Sequence, residues 1–267
     1  MLIIGESING TIQKVGQAIL ERNETFLREL AKAQFDCGAQ MLDVNAGVAG
    51  GNEMEDLPWA VEVVQKEVNL PLMLDSANPD VLRAAFSVYR HPEPPILNSI
   101  SGEDEKWNKL YPLIAEKKCK VVVLLMDDQG IPKRVEERIA IAKRLFERLN
   151  EGGLPPENIY FDPLVLSVAV DPDAGITTLE TIQSLRSNFP DSHIICGVSN
   201  VSMGLPGRRL VNRTFLMMAM AAGLDTLLID VRDQALMSSV CAAKTLLNQD
   251  PYCLEYIKAY REKKILV

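Results

Sequence analysis

The 267-residue sequence predicts a single-domain TIM (β/α)8 barrel, on three observations. Short apolar segments alternate with amphipathic segments along the whole chain, which is typical of a parallel sheet covered by helices. This alternation gives eight strand–helix units joined by short loops. Barrels of this length form one unit and need no second domain. A doubly wound open sheet is the alternative, but no predicted strand is followed by the GxGxxG dinucleotide fingerprint.

The predicted strands are short runs of apolar residues that end where polar residues begin. They cover residues 2–5, 40–47, 70–76, 95–101, 120–128, 158–165, 194–198 and 225–231. The predicted helices cover residues 15–22, 24–37, 59–67, a stretch opened by Asn78-Pro79, 105–116, 135–149, 177–188, 216–222 and 233–247. A last amphipathic segment, 252–264, lies in a C-terminal helical extension of about 251–267, which packs over one barrel end or serves an oligomer contact.

Composition and charge describe an ordinary globular chain. Hydrophobic residues make up 47% and charged residues 24%, and the net charge of -8 argues against a nucleic-acid surface. The five cysteines are scattered without a CxxC pair, which favours a reducing cytoplasm over a disulfide framework. The N-terminus lacks the features of a signal peptide, and no apolar run reaches membrane-spanning length. We therefore expect a cytoplasmic protein that binds neither nucleic acid nor membrane.

A carboxylate or carboxamide stands at or near the end of every predicted strand. These residues are Glu6, Asp43, Asp75, Asn98, Asp127, Asp162, Asn200 and Asp230. Strand ends meet water, so polarity there needs no function, and this explanation covers Asp127, Asp128 and Asp230 well. It covers Asp75, Asn98 and Asp162 less well, because each directly follows a strongly apolar strand. In a barrel such side chains converge on the face where active sites lie.

The stretch 196–215 breaks from a strand at Ser199-Asn200 and then runs through turn-forming Gly and Pro residues. Asn200 could be a helix cap, but it stands too far from the next predicted helix. We therefore favour a functional role for it, since polar residues where a strand gives way to a loop often carry the chemistry of α/β proteins.

A ring of Asp and Asn residues suits two kinds of ligand. A divalent metal prefers several clustered carboxylates, and only two or three here look well placed. The two histidines stand at no ligand spacing from a cysteine, which argues against zinc. A flat heterocycle such as a 2-amino-4-oxo pyrimidine offers adjacent N–H groups that one carboxylate accepts together, while carboxamides both donate and accept. The ring fits a pterin, although spacing alone does not name one.

Several motifs, in order along the chain, resemble those of the methyltetrahydrofolate:corrinoid protein methyltransferases. They are GESIN (5–9), DVNAG (43–47), LDSANP (74–79), NSIS (98–101), YFDPL (160–164), GVSNVS (197–202) and NRTFLMMAMAAGLD (212–225). The resemblance spans essentially the whole chain. More distant relatives are the folate-binding module of cobalamin-dependent methionine synthase and dihydropteroate synthase.

That resemblance implies a pterin-binding TIM barrel, usually a homodimer. Such an enzyme moves a methyl group between N5 of tetrahydrofolate and the cobalt of a corrinoid carried by a separate protein, in either physiological direction, and binds no metal itself. By the same resemblance Asp75, Asn98 and Asp162 hold the pterin, and Asn200 is catalytic and hydrogen-bonds N5. The remaining expected substrate-binding residues are Glu6, Asp43, Gly197, Ser199 and Arg208.

Two features near Asn200 leave alternatives open. Met203 follows the SNVS motif where members of this family carry a polar residue of the N5 network, so Asn200 works with another partner or with water. Arg208, Arg209 and Arg213 either receive the anionic glutamate tail of folate or are solvated charges at a helix start, where cations are mildly unfavourable.

Three other functions compete with methyl transfer. A dihydropteroate synthase would need a basic element for pterin diphosphate, and no convincing Ser-x-Lys or Lys-rich element is present. A non-catalytic folate-binding protein would retain the pterin-holding residues but would not need Asn200. A metal-dependent lyase or aldolase would need a strand-end lysine or a histidine ligand, and neither is found.

Overall fold

Eight parallel strands close into a barrel in chain order in the computed structural model, which describes residues 1–266. The strands are β1 (Leu2–Asn9), β2 (Met41–Asn45), β3 (Leu72–Asp75), β4 (Ile96–Ile100), β5 (Lys120–Leu124), β6 (Ile159–Asp162), β7 (His193–Gly197) and β8 (Thr226–Ile229). β1 pairs with β8 as well as with β2, which leaves no sheet edge. The predicted TIM (β/α)8 barrel is confirmed.

Helices follow every strand on the outside of the barrel. They are α1 (Gln13–Leu20), α2 (Glu24–Asp36), α3 (Glu53–Glu67), α4 (Pro79–Val88), α5 (Asp104–Lys117), α6 (Val135–Glu151), α7 (Ala174–Asn188), α8 (Arg208–Ala222), α9 (Gln234–Leu246) and α10 (Leu254–Arg261). Short 3₁₀ helices cover Pro156–Asn158, Val198–Ser202 and Pro251–Cys253. The predicted C-terminal extension consists of the last of these turns and α10, and Val267 lies outside the described residues.

Two apolar layers hold the barrel together. Outward-facing strand residues such as Leu42, Val123 and Phe161 form one continuous cluster with the helices. A smaller cluster fills the barrel interior with one inward residue from almost every strand. Its members are Ile4, Met41, Met73, Ile96, Val122, Tyr160 and Ile195. Because side chains alternate between the two faces of a strand, the residue two places after each of these also points inward. This next inward layer is where the polar strand-end residues lie.

Local signals explain several helix boundaries. The Asn78 side chain caps α4 by accepting a hydrogen bond from Asp80 N–H at 3.0 Å, and Pro79 fills the first turn. Gly38 follows α2 with φ of +95°, a conformation that glycine adopts without strain. Asp233 caps α9 by accepting from Leu236 N–H.

Among the boundaries that differ from the sequence-based expectation, three are instructive. α3 begins at Glu53 rather than 59, because Pro58 is tolerated inside the helix. α8 begins at Arg208 rather than 216, directly after Gly207, whose φ is +63°. β5 ends at Leu124, so Asp127 is not a strand residue and instead pairs with Gly130 in a tight turn. Within residues 1–266 no helix is long and apolar enough to cross a membrane.

Candidate functional site

The inward polar layer lies directly above the apolar cluster that fills the barrel interior. It comprises the polar residues Glu6, Asp43, Asp75, Asn98, Asp162 and Asp230 together with Gly197, each two residues beyond an inward apolar residue. β5 contributes Leu124 to this layer instead of a polar residue. Six of the predicted strand-end residues therefore converge at the carboxyl end of the strands, and Asp127 does not.

Asp75 and Asn98 form the centre of one side of this layer. They are register partners on β3 and β4, and Asn45 is the register partner of Asp75 on β2. The Asn45 Nδ2 group donates a hydrogen bond to Asp75 Oδ2 at 3.0 Å. The Asn98 carbonyl oxygen accepts from Ser76 N–H at 2.9 Å, which holds the two strand ends side by side. A carboxylate and a carboxamide on adjacent strands thus face the open carboxyl-terminal end of the barrel, called the mouth below.

Asp162 occupies the end of β6 on the other side of the mouth. Its Oδ1 accepts a hydrogen bond from Leu164 N–H at 2.7 Å, in a turn where Leu164 has φ of +62°. Arg138 of α6 reinforces this turn from behind, because its buried guanidinium donates to the carbonyl oxygens of Pro163 at 2.6 Å and Leu164 at 3.3 Å. The backbone after β6 is thereby fixed, and with it the Asp162 carboxyl group.

Burial governs the charge state of the polar layer. It raises the pKa of Asp75 and the pKa of Asp162 to about 6, and that of Glu6 to about 7, with the nearby Asp230 charge adding to the rise at Glu6. The pKa of Asp43 is raised well above its usual value, first by burial and then by the charges of Asp75 and Glu6. Asp43 is 2% exposed, and its Oδ1 has no hydrogen-bond partner among the described residues.

Asn200 lies above the polar layer in the 3₁₀ turn Val198–Ser202, directly after β7. A Cβ atom built on Gly197 would lie 3.4 Å from Asn200 Nδ2, so the exposed carboxamide leans back over the end of β7. The Asn200 carbonyl oxygen accepts from Met203 N–H at 3.1 Å, which closes the turn. The sequence predicted the break at this position but not the helical turn.

Arg208 ties this turn to the start of α8. Its Nε donates to Ser202 Oγ at 3.1 Å, and its terminal guanidinium nitrogen donates to the Ser199 carbonyl oxygen at 2.8 Å. Arg209 is 93% exposed, with its Nε 4.0 Å from Asp233. Of the three arginines considered for the folate tail, Arg208 is therefore engaged by the Asn200 turn, whereas Arg209 extends into solvent.

Asp230 borders a small cavity of about 160 Å³ beside the mouth, which Glu6, Ser199, Arg209 and Asn212 also line. Asp230 Oδ1 accepts hydrogen bonds from Ser7 Oγ at 3.2 Å and from Arg232 Nε at 3.0 Å. Burial opposes ionisation of Asp230, but the hydrogen bonds and charge of Arg232 and the Ser7 hydrogen bond together outweigh it, so the pKa of Asp230 is lowered.

The surroundings of Asp127 explain its polarity without a role in the polar layer. Its carboxylate pairs with Arg144 at 2.6 Å and accepts from Gln129 N–H, and the pKa of this carboxyl is lowered, first by the Arg144 hydrogen bond. Its polarity belongs to a surface turn. Within residues 1–266 no group of three or more His, Cys, Asp or Glu side chains is arranged to hold a metal ion.

Comparison with known proteins places this chain in a family. A family model described as pterin binding enzyme matches residues 6–230. The chain belongs to the pterin binding enzyme family. It is 37% identical over 267 aligned residues to the methylcorrinoid:tetrahydrofolate methyltransferase of Eubacterium limosum, covering 99% of this chain and 98% of the relative. It is 29% identical over 242 residues to the methionine synthase of Mycobacterium leprae, covering 86% of this chain but only 20% of that longer protein.

Solved structures of pterin binding enzymes share the fold at low sequence identity. The dihydropteroate synthase of Yersinia pestis superposes with a TM-score of 0.66 at 15% identity, covering 92% of this chain and 93% of that one. The Thermus thermophilus dihydropteroate synthase in complex with 6HMPPP gives 0.68 at 17% identity, covering 92% and 93%. At these identities the likeness concerns the barrel alone.

Two residues of this pterin binding barrel were missed as site residues. Asn45 belongs to the DVNAG motif, yet only its contact with Asp75 reveals its place beside the polar layer. Arg138 stands among apolar residues on the inward side of α6, and a charge on that side is the signal that could have identified it.

Proposed function

We propose that this protein transfers a methyl group between N5 of tetrahydrofolate and the cobalt of a corrinoid. The observation that carries the proposal is the polar layer in which Asp75, Asn98 and Asp162 face one mouth, with Asn200 above them. The 37% identical relative, whose name describes transfer between methylcorrinoid and tetrahydrofolate, supports it over nearly the full chain.

The pterin ring would lie across the mouth with its polar edges on the strand ends. A carboxylate at Asp75 or Asp162 accepts hydrogen bonds from the ring N–H and the adjacent amino group. Asn98 donates and accepts with the remaining ring nitrogens and oxygen. Both carboxyl groups have pKa values near 6, so they are mainly ionised at neutral pH and ready to accept these donors.

In the transfer step a nucleophile attacks the methyl carbon and displaces the group that carried the methyl. From methyltetrahydrofolate, the N5–methyl bond breaks, its electron pair stays on N5, which takes up a proton, and the cobalt of a Co(I) corrinoid forms the new bond to the methyl group. In the opposite direction the N5 lone pair forms the bond to the methyl group, the corrinoid leaves as Co(I), and N5 loses its proton. One site serves both directions, because a catalyst accelerates forward and reverse reactions alike.

Asn200 would act on the charge that changes at N5. A carboxamide both donates and accepts, so it can strengthen a hydrogen bond as N5 gains positive character. An interaction that is stronger in the transition state than in the bound substrate raises the rate of transfer. The two hydrogen bonds that Arg208 donates to Ser202 and Ser199 would keep the turn in place during this step. The proton itself would pass through the polar layer or water, since neither histidine belongs to the site.

The corrinoid would arrive as a substrate on a partner protein. The Asn200 carboxamide is exposed at the mouth, so a cobalt centre can approach N5 from the solvent side. A dihydropteroate synthase activity is the competing proposal, and the shared fold favours it. It requires cations for a pterin diphosphate, and Arg208 is already engaged by the protein backbone. A non-catalytic folate-binding protein would leave Asn200 without a task.

We further propose a cytoplasmic homodimer that pairs through α7 and α8. Apolar side chains are exposed on both helices, with Ile176 at 53%, Leu210 at 62% and Met218 at 50%. They surround an apolar cavity of about 370 Å³ between the two helices. Exposed apolar patches of this kind mark protein–protein contacts.

The test of the function is an anaerobic assay of the purified protein in both directions. Methyltetrahydrofolate is mixed with Co(I) cobalamin, or methylcobalamin with tetrahydrofolate, and the cobalamin absorbance is followed. Protein-dependent change in either mixture is the expected result. Folate binding without any transfer would favour the binding protein, and formation of dihydropteroate from pterin diphosphate and p-aminobenzoate would favour the synthase.

A further inference from the structure

The orientation of the Asn45 side chain is determined by two contacts. Its Oδ1 accepts a hydrogen bond from Gly47 N–H at 3.0 Å, and its Nδ2 donates to Asp75 Oδ2, also at 3.0 Å. A backbone N–H can only donate, so the oxygen of the carboxamide must face Gly47 and the NH2 group must face Asp75. The hydrogen bond to Asp75 is therefore assigned by chemistry and not by an arbitrary choice of amide orientation.

Asp75 otherwise lies among acidic groups. Asp43 faces it from β2, Glu53 adds negative charge from the start of α3, and Glu6 lies beyond Asp43 on β1. Burial raises the pKa of Asp75 and the Asn45 hydrogen bond lowers it, so Asn45 opposes both burial and the negative charge of these neighbours.

We infer that Asn45 is a positioning residue for the pterin. By occupying Asp75 Oδ2 from the β2 side, it turns the carboxylate so that Oδ1 and the remaining lone pair of Oδ2 face the mouth. This inference rests on the proposed function, because it assumes that Asp75 accepts hydrogen bonds from the pterin edge. Asn45 itself need not touch the pterin, since it acts through Asp75.

The experiment measures tetrahydrofolate affinity by calorimetry between pH 5 and 8 for the wild type and Asn45→Leu, which has a similar volume and no hydrogen bond. The expected result is an affinity loss of about tenfold at pH 7, the effect of one hydrogen bond to a charged group. Affinity falls on acidification as Asp75 takes up a proton, which gives the pH profile an acid limb. This pH limb should lie about one unit higher than in the wild type, because Asp75 no longer receives the hydrogen bond that lowers its pKa. A merely structural role would not move this pH limb.

Two further variants complete the test. Asn45→Ser is smaller, stays polar and does not reach Asp75, so it carries the same expectation if the leucine variant fails to fold. Asn158→Ala removes the hydrogen bond that the Asn158 carboxamide donates to the Lys118 carbonyl oxygen at the opposite end of the barrel. It should leave the affinity and its pH limb unchanged. A folded Asn45 variant with the wild-type affinity and pH limb would overturn the inference alone. A wild type that binds no tetrahydrofolate would overturn the proposed function as well.

Discussion

The Arg208 guanidinium donates a hydrogen bond to the Ser199 carbonyl oxygen at 2.8 Å, one residue before Asn200. Together with its contact to Ser202 Oγ, this bond holds the turn that carries the Asn200 carboxamide. A lysine carries the charge but lacks the planar fork that reaches both acceptors. We expect Arg208→Lys to lower kcat for methyl transfer about tenfold while the folate Kd changes less than about twofold, the cost of about one lost hydrogen bond in the transition state.

The control for this change is Arg209→Lys, since Arg209 is 93% exposed and engages no part of the turn. Both variants are also assayed with a pterin substrate that lacks the glutamate tail. A loss in Arg208→Lys that disappears with this truncated substrate would mean that Arg208 binds the tail rather than the turn.

Arg138 should be a large contributor to stability. It is 2% exposed and donates to the carbonyl oxygens of Pro132, Pro163 and Leu164 at 3.0, 2.6 and 3.3 Å. Arg138→Met keeps the length of the side chain but leaves these carbonyls without a donor. We expect the free energy of unfolding to fall by about 3 kcal/mol in urea titrations.

Lys143→Met, on the exposed face of the same helix, serves as the control and should change stability by less than about 0.5 kcal/mol. Because Pro163 and Leu164 follow Asp162 directly, folate affinity should also fall in the Arg138 variant. Unfolding curves that coincide for the two variants would show that the carbonyls find other donors.

The Asp162 carboxyl should destabilise the fold at neutral pH. Burial raises its pKa from 3.8 to about 6, so the unfolded chain releases the proton first as the pH rises. Stability is therefore lost between about pH 4 and pH 6 and stays reduced above that range. Asp162→Asn retains an oxygen that can accept from Leu164 N–H, and it should raise the free energy of unfolding at pH 7.5 by up to about 3 kcal/mol.

The gain from Asp162→Asn should disappear at about pH 3, which lies below both pKa values, so that the native and unfolded carboxyls are both largely protonated. Tetrahydrofolate binding should be lost at every pH, because an amide does not replace the charged acceptor. Asp191→Asn changes an exposed carboxylate and should show neither effect. A stability difference that is the same at both pH values would contradict the raised pKa.

The barrel could be predicted from the sequence because its determinants are local. Each strand is an apolar run and each helix has an apolar stripe, so eight alternations specify the order of elements. The predicted end of β5 was wrong, because Leu125 and Met126 extend the apolar run although the strand itself ends at Leu124. The predicted start of α8 was also wrong, because the first turns of this helix carry polar residues and the apolar pattern begins later.

The site could be predicted in part, because strand-end polarity brings Asp75, Asn98 and Asp162 together in any closed barrel. Their roles and that of Asn200 stay predictions until they are measured. The contact between Asn45 and Asp75, and the reach of Arg208 to Ser199, depend on side-chain geometry between distant parts of the chain. Periodicity and motifs do not carry that information.

The proposed homodimer gives a prediction for α8. Met218→Asp places a charge on the apolar patch shared with α7, where it would be desolvated on association. We expect sedimentation to change from dimer to monomer at micromolar concentration. Phe35→Asp is the control, because Phe35 is 48% exposed on α2 and belongs to no part of this patch. A wild type that sediments as a monomer would contradict the dimer.

We propose that Asn200 acts on the transition state at N5. The direct measurement is single-turnover methyl transfer between methyltetrahydrofolate and Co(I) cobalamin, followed by absorbance, together with the folate Kd, for the wild type and Asn200→Ala. We expect the transfer rate to fall by about 10²–10³, with the folate Kd and the unfolding midpoint changed far less. Asn188→Ala, which alters an exposed carboxamide on α7, should transfer at the wild-type rate. An undiminished rate in Asn200→Ala would contradict the claim.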